Sequence, residues 1–320
     1  MAQQNIDFQL ETLISSLPAT PLTEGPFSFG GANLVARSNS QSALDGFSDL
    51  FAHLQTDGFP HGDVFIVETD LEVSLPKELK LGYVSLRFRS FLDFNSQAVV
   101  IAARDRKSTY ILTRSNFFSF TRPDLARLSA QALFDEGYFA LHGALLSWEG
   151  GPGILVSAAG GHGKSSTVVS CIRNGAVTAG DDFLMSEIDP EGRVIGHSLF
   201  GSVRLSFDSP EFQFASKKSV HEHDGKKIFR INDLVPGSLV EKQRIDALVI
   251  PRFSEKSELR QSAKTQALLS IAPSSVALSA NKTEVFESIA KMVQMLPCYE
   301  IGLSKSGDEN AKLLRSLAVG

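Results

Sequence analysis

The stretch GILVSAAGGHGKSST, residues 153–167, decides the fold that the sequence predicts. Ile154–Ser157 reads as a short apolar strand, a glycine-rich turn follows it, and Lys164–Asn174 carries apolar residues at helical spacing. A strand, a glycine-rich loop and a helix in this order are the context in which the pattern GxxxxGK[ST] forms a phosphate-binding P-loop. Residues 158–165 match that pattern except at the first position, where Ala158 replaces glycine. The sequence therefore predicts a P-loop that binds a nucleoside triphosphate.

The residue types of this loop suit the chemistry of phosphate binding. Small residues let backbone N–H groups converge on phosphate oxygens, and the helix N-terminus adds the positive end of its dipole. Lys164 is expected to contact the β- and γ-phosphates of ATP, and the Ser165 hydroxyl to bind Mg²⁺. The alternative is an ordinary glycine-rich turn with an incidental Lys-Ser pair. The predicted nucleotide-contacting residues are Ala159, Gly160, Gly161, His162, Gly163, Lys164, Ser165 and Ser166.

Two adjacent aspartates, Asp181 and Asp182, follow the next predicted strand. Phosphoryl transfer needs carboxylates to hold Mg²⁺ and to accept the proton of the attacking hydroxyl, so this pair can divide the two roles. The alternative is an Asp-rich turn whose carboxylates are solvated. Upstream, His142 lies in an apolar strand, and on that position alone it is interpreted as a structural residue of the core.

Composition bounds the class of protein. The 320 residues carry a formal net charge of −5 and a sequence pI of about 5.8, which argues against nucleic acid as the main partner. The two cysteines lie far apart in sequence, so no disulfide framework is expected and a reducing compartment is favoured. The N-terminus does not resemble a signal peptide, and no apolar run approaches the roughly 18 residues of a membrane span. We expect a soluble, cytoplasmic protein without a membrane partner.

The sequence predicts two domains and a fold of the α/β class, with α+β mixed character. Residues 1–122 contain short strands rich in β-branched and aromatic residues, such as Tyr83–Phe91, and predict a β-rich accessory domain. A helix at about 123–135 marks the boundary, and residues 123–320 hold the predicted P-loop core. Within that core, Tyr138–Leu146 is predicted to form one strand.

Three weaker polar signals lie further along the chain. His221 and His223 have no clear third metal ligand, so a solvated loop is expected there. The basic residues within 226–230 can clamp a phosphate or an acceptor, but a hairpin with a solvated face is the expected reading. Arg244 is a further candidate for an active-site cation.

The motifs in this order and spacing resemble the HPr kinase/phosphorylase family and its shorter relatives. The likeness rests on Leu141-His142-Gly143, on the loop Gly161–Ser165 and on Gly180-Asp181-Asp182, and it covers about residues 125–190. It implies a P-loop core of the HPr kinase and phosphoenolpyruvate carboxykinase type. It also implies transfer of a phosphoryl group from Mg²⁺-ATP to a hydroxyl, often that of a serine.

The resemblance also implies roles for individual residues. Lys164 would bind phosphate, Ser165 and Asp182 would bind Mg²⁺, and Asp181 would share the base and metal roles with Asp182. His142 would then lie beside them as a residue of the site. The chain departs from HPr kinases at residue 166, where serine replaces their usual acidic residue, and it lacks the C-terminal signature of their phosphorylase activity. It is therefore interpreted as a divergent relative.

The leading functional hypothesis is an ATP-dependent kinase. Its acceptor would be a hydroxyl on a protein, a peptide or a small molecule. The alternatives are a nucleotide-binding switch or scaffold with little turnover, and a hydrolase that uses water as the acceptor. The sequence neither supports nor excludes a homo-oligomer.

Overall fold

The protein is a mixed α/β protein with several sheets. The computed structural model describes residues 2–30, 32–69, 83–93, 98–113, 137–158, 161–216, 221–223, 226–279 and 282–317. Two compact units divide the chain, and each has its own sheets. The first comprises Met1–Tyr138 with Leu278–Lys282, and the second comprises Phe139–Ala277 with Thr283–Gly320. The predicted helix at 123–135 and the predicted boundary after residue 122 lie outside the described residues.

The first unit is built on a mixed sheet. Its described helices and strands are α1 (Ala2–Ser15), β1 (Leu22–Phe29), β2 (Ala32–Ser38), α2 (Gln41–Phe51), β3 (Gly62–Glu68), β4 (Tyr83–Val84), β5 (Phe88–Asp93), β6 (Ala98–Ala103) and β7 (Ser108–Thr113). The strand order is β1-β2-β3-β7-β6-β5-β4, with β3 parallel to both of its neighbours and the other pairs antiparallel. Leu10 of α1 packs into the core of this sheet beside Phe88 and Ile101.

The prediction of one strand over Tyr83–Phe91 is wrong, because the structure divides it into β4 and β5. Between them, Ser85 Oγ accepts hydrogen bonds from the N–H groups of Arg87 at 3.1 Å and Phe88 at 2.9 Å. A serine side chain that satisfies nearby backbone donors favours a turn over a continued strand. The alternation of apolar residues is continuous across this turn, so the sequence pattern predicted one unbroken strand.

The elements after Tyr138 form three further sheets. They are β8 (Phe139–His142), β9 (Ala144–Ser147), β10 (Ile154–Val156), α3 (Lys164–Arg173), β11 (Val177–Gly180), β12 (Phe183–Ile188), β13 (Val194–Ser198), β14 (Ser202–Ser206), α4 (Phe212–Ala215), β15 (His221–His223), β16 (Lys226–Arg230), α5 (Ile231–Leu234), β17 (Lys242–Ile245), β18 (Ala247–Phe253), β19 (Glu258–Gln261), α6 (Lys264–Val276), α7 (Lys282–Met295), β20 (Cys298–Leu303) and α8 (Gly307–Ser316). The sheet orders are β11-β9-β10-β18-β20-β19, β17-β13-β12-β8 and β14-β16-β15.

The central strand of the six-stranded sheet is β10. It runs antiparallel to β9 on one side and parallel to β18 on the other. Helices α3 and α8 cover one face, where Val168 and Leu314 join Val156 and Val249 in a buried apolar cluster. Helix α6 packs against β8 and β18. Because α3 follows β10 through the glycine-rich loop, this core fixes where that loop lies.

The prediction of one strand over Tyr138–Leu146 is also wrong, because β8 and β9 belong to different sheets. The chain changes sheet at Gly143, where the backbone is too crowded for a side chain. A Cβ at this position would lie 2.9 Å from Leu155 Cδ1 and 3.0 Å from the Val156 carbonyl oxygen. The predicted strand before the loop and the predicted helix after it are confirmed, each to within one residue.

Candidate functional site

The glycine-rich loop joins the end of β10 to the start of α3. Gly161 and Gly163 have φ values of +83° and +81°, in the left-handed region that favours glycine. The first turn of the helix is closed by Thr167, whose N–H and side-chain hydroxyl both donate to the Gly163 carbonyl at 2.9 Å. Ala159 and Gly160, which were predicted to contact the nucleotide, lie outside the described residues.

The Lys164 side chain is buried beneath the loop. Its ammonium donates a hydrogen bond to the Ala158 carbonyl at 2.7 Å. Burial lowers the pKa of Lys164, and Lys226 acts in the same direction, whereas the carboxylates of Asp181 and Asp182 oppose the shift. The cation of the loop therefore lies within the electrostatic reach of both aspartates, as the phosphate-binding hypothesis requires.

The two aspartates lie at a corner where the chain crosses from one sheet to another. Strand β11 ends at Gly180 in the six-stranded sheet, and β12 begins at Phe183 in the four-stranded sheet. The segment from β8 to β9 makes the same crossing in the opposite direction, and the Gly143 N–H donates to the Asp182 carbonyl at 3.0 Å. Because β9 lies between β10 and β11, this crossing adjoins the end of β10 from which the loop emerges.

Asp181 faces the loop helix. Its carboxylate Oδ2 accepts a hydrogen bond from Ser165 Oγ at 2.7 Å, and the residue is buried. The family resemblance implied that Ser165 and Asp182 would bind Mg²⁺ together. Among the described residues, the aspartate that the Ser165 hydroxyl contacts is Asp181 instead.

Asp182 faces the other way, towards a histidine and an arginine. Its Oδ1 lies 3.4 Å from His142 Nε2, and its Oδ2 accepts a hydrogen bond from Arg204 Nη2 at 2.6 Å. The backbone of Asp182 has a φ of +79°, which is uncommon for any residue except glycine. Such a conformation persists only where the surroundings enforce it, and it is often found at functional sites.

Neighbouring residues fix both the backbone and the ring of His142. Its N–H donates to Ser275 Oγ at 2.9 Å, and its carbonyl accepts from Ser157 Oγ at 2.7 Å. The imidazole stacks on Phe183, with ring centroids 4.9 Å apart. The Nδ1 atom is buried and has no hydrogen-bond partner in the part of the chain that the structure describes. The structure therefore places His142 beside Asp182, with Nε2 as the ring atom that lies near the carboxylate.

Arg204 and Ser275 were missed by the sequence analysis. Arg204 lies on β14 between Val203 and Leu205, whose side chains are buried, and this alternation predicts only that Arg204 points away from the core. Ser275 lies on α6, far from the other site residues in sequence. No local pattern could connect either residue to Asp182 or His142.

Other predicted residues lie around the loop. Ser166 Oγ forms a hydrogen bond with Ser209 Oγ at 2.8 Å, although the direction of donation is not fixed by the geometry. His162 is exposed, and its ring is nearly parallel to that of Phe253, with centroids 6.5 Å apart and an interplanar angle of 11°. Phe253 borders the loop, since a Cβ on Gly163 would lie 3.5 Å from its Cε1.

Two weaker signals fall outside the site. Arg244 forms an ion pair with Asp246, and its carbonyl lies against Gly153 at the start of β10, whereas the loop leaves the opposite end of that strand. The loop expected at His221–His223 is wrong, because these residues form β15 and pair with β16. Within the described residues, no group of three or more His, Cys, Asp or Glu side chains is arranged to hold a metal ion.

Comparison with known proteins adds little to this geometry. No protein-family model matches the chain, and neither does any curated protein. A solved structure of the HPr(Ser) kinase/phosphatase from Coxiella burnetii aligns with 55% of this chain and with 94% of the bacterial chain, at 12% identity and a TM-score of 0.33. None of the helices in the described ranges combines the length and hydropathy needed to cross a membrane. Support for a function therefore comes from the residues of the site.

Proposed function

We propose that the chain is a Mg²⁺-ATP-dependent kinase that phosphorylates a hydroxyl of a protein, peptide or small molecule. One observation carries the proposal. At the sheet corner that holds both aspartates, Ser165 Oγ at the start of α3 donates to Asp181 Oδ2 at 2.7 Å, and the buried Lys164 beside it is influenced electrostatically by both carboxylates. Phosphate binding, metal binding and proton acceptance are the three tasks of phosphoryl transfer, and each has a candidate here.

The oxygen donors of Ser165 and Asp181 fit a magnesium ion. Mg²⁺ is usually bound in proteins by one or two carboxylates together with substrate phosphates and water. We therefore move the metal role to Ser165 and Asp181, because Asp182 is engaged with Arg204 and His142. When bound, Mg²⁺ and ATP would supply charge neutralisation and the phosphoryl group to be transferred.

The loop residues bind and orient the phosphates in this proposal. The N-terminus of α3 carries the positive end of the helix dipole, which favours an anion at this point. The Lys164 ammonium donates to the Ala158 carbonyl at 2.7 Å, and it would exchange this acceptor for a phosphate oxygen when the nucleotide binds. The burial that lowers the pKa of Lys164 also strengthens its attraction to an anionic ligand.

Asp182 is proposed to accept the proton of the acceptor hydroxyl. Arg204 fixes one carboxylate oxygen at 2.6 Å, which leaves the other oxygen beside His142 Nε2 at 3.4 Å. A general base must be held within hydrogen-bond reach of the proton that it takes, and this clamp restricts the rotamers of Asp182. His142 acts as a positioning residue, because its ring is held against Phe183 and its Nε2 lies beside the Asp182 carboxylate.

One observation favours the second candidate, a nucleotide-binding switch with little turnover. A carboxylate that is held by an arginine at 2.6 Å is a weaker proton acceptor than a free one. If this ion pair persists when an acceptor binds, the site would hold nucleotide without rapid transfer.

The test compares nucleotide binding with turnover in matched variants. Wild type, Lys164→Ala and Asp182→Asn are assayed with Mg²⁺ for ATP affinity, for phosphate release and for transfer of label from γ-labelled ATP to a lysate. The exposed residues Lys305 and Asp233 supply the controls Lys305→Ala and Asp233→Asn. The kinase proposal expects Lys164→Ala to lose binding, and Asp182→Asn to bind ATP but to transfer label about 10²- to 10⁴-fold more slowly.

Each other result has a distinct meaning. Binding of ATP by wild type without transfer or phosphate release would favour the switch. Phosphate release that does not depend on any acceptor would favour a hydrolase. If wild type binds no nucleotide in the presence of Mg²⁺, the proposed function is wrong.

A further inference from the structure

An exposed aromatic residue lies beside the glycine-rich loop. Phe253 is the last residue of β18, and 67% of its surface is exposed, although residues 247–250 of the same strand are buried. A Cβ on Gly163 would lie 3.5 Å from Phe253 Cε1, so the ring borders the loop itself. The loop residue His162 holds its imidazole at 11° to the Phe253 ring. Two aromatic rings with similar orientation thus flank the loop in a region open to solvent.

The sheet order fixes the side on which this pair lies. Asp181 and Asp182 follow β11, which is separated from β10 by β9, whereas β18 adjoins β10 on the opposite side. A triphosphate on the loop has two chemically different ends. Its terminal phosphoryl group must point towards the carboxylates, because the reaction takes place there. The nucleoside end must then point towards the end of β18, where Phe253 lies.

The two rings offer faces of similar orientation to a planar ligand. Their centroids are 6.5 Å apart, whereas the directly stacked rings of Phe65 and Tyr110 are 4.7 Å apart at 8°. The His162 and Phe253 rings are therefore less closely packed against each other than that pair. A flat ring that stacks on the exposed Phe253 ring would lie nearly parallel to the His162 imidazole beside it. Nucleobases stack on aromatic side chains in this way, and every base has the required face.

We propose that Phe253 and His162 form the nucleobase-binding surface of the chain. The proposal rests on the proposed function, since it takes the phosphates to be held by the loop. The ligand is a nucleoside triphosphate that is held by stacking, so ATP and GTP gain similar affinity from the surface. Phe253 has no part in phosphate binding, and its contribution is confined to the base.

The experiment separates the base from the phosphates by using inorganic tripolyphosphate as a ligand without a base. Affinities for ATP, GTP and tripolyphosphate are measured with Mg²⁺ on wild type, Phe253→Ala and Phe253→Tyr. Phe286→Ala is the matched control, because Phe286 is an exposed phenylalanine of α7. Phe253→Ala is expected to weaken ATP and GTP about tenfold and to leave tripolyphosphate binding unchanged. Phe253→Tyr and Phe286→Ala should both bind ATP as wild type does.

Three results would overturn the inference. In the first, Phe253→Ala binds ATP as tightly as wild type does, which would show that no base rests on the ring. In the second, tripolyphosphate binding falls as much as ATP binding, which would show that Phe253 supports the loop instead. In the third, wild type binds neither ATP nor tripolyphosphate, and the proposed function falls as well. If wild type binds both ligands and Phe253→Ala makes no difference, only the base-binding inference fails.

Discussion

Breaking the ion pair between Arg204 and Asp182 should destabilise the second unit well beyond the effect of an ordinary surface pair. The two side chains are 21% and 15% exposed, and Arg204 Nη2 lies 2.6 Å from Asp182 Oδ2. Removing one partner of a fully buried pair costs ~3–5 kcal/mol, because it leaves a buried charge, whereas exposed pairs contribute about 0–1 kcal/mol. Because both side chains are partly exposed and His142 lies nearby, we expect Arg204→Met to lower the free energy of unfolding of the second unit by ~2–3 kcal/mol.

The assay is a double-mutant cycle in urea. Arg204→Met, Asp182→Asn and the double variant are unfolded, and the transition of the second unit is followed, because two units need not unfold together. A coupling energy of ~2 kcal/mol is expected. The control cycle uses Arg87 and Glu11, which are 2.8 Å apart but 47% and 32% exposed. If the Arg204–Asp182 coupling is no larger than that of the control, the structural reasoning about this corner is refuted.

Two further predictions concern packing and pH. Gly143→Ala should destabilise the second unit by ~1–3 kcal/mol in urea, because the new Cβ meets Leu155 and the immobile Val156 carbonyl; a loss below about 0.5 kcal/mol would contradict the crowding at this crossing. His197 is buried, which lowers its pKa, although Glu187 opposes the shift at 2.9 Å. At acid pH, His197 therefore binds a proton more readily in the unfolded chain than in the folded chain. The free energy of unfolding should consequently fall as pH drops below about 6.5. His197→Gln should show a shallower acid-side loss of stability, and an equally steep loss would exclude His197 as a cause.

The sequence predicted the elements whose signals are local. The strand before the loop and the helix after it follow from apolar spacing and from the glycines between them, and both are observed. The strand before Asp181 was predicted for the same reason. Because β9 separates β10 from β11, no local pattern places these aspartates next to the loop, and their nearness was expected from the chemistry and from the family resemblance.

The remaining features depend on contacts between distant residues. The change of sheet at Gly143 is caused by the approach of the Val156 carbonyl, so an unbroken apolar run looked like one strand. The different contacts of the two aspartates could not be predicted either, because Asp182 combines a φ of +79° with a hydrogen bond from the distant Arg204, whereas Asp181 accepts from Ser165. The acceptor, the nucleotide, the compartment and any homo-oligomer stay predictions.

The backbone of Asp182 and its ion pair with Arg204 place opposite demands on the residue at this position. Glycine would relieve the cost of a positive φ there, and asparagine tolerates this region as well as aspartate does. The same replacements would remove the carboxylate that pairs with Arg204, so the relief of the backbone is opposed by the loss of this ion pair. Libraries designed to make this protein more robust should therefore hold residue 182 fixed, because a substitution that suits the backbone leaves Arg204 without this carboxylate.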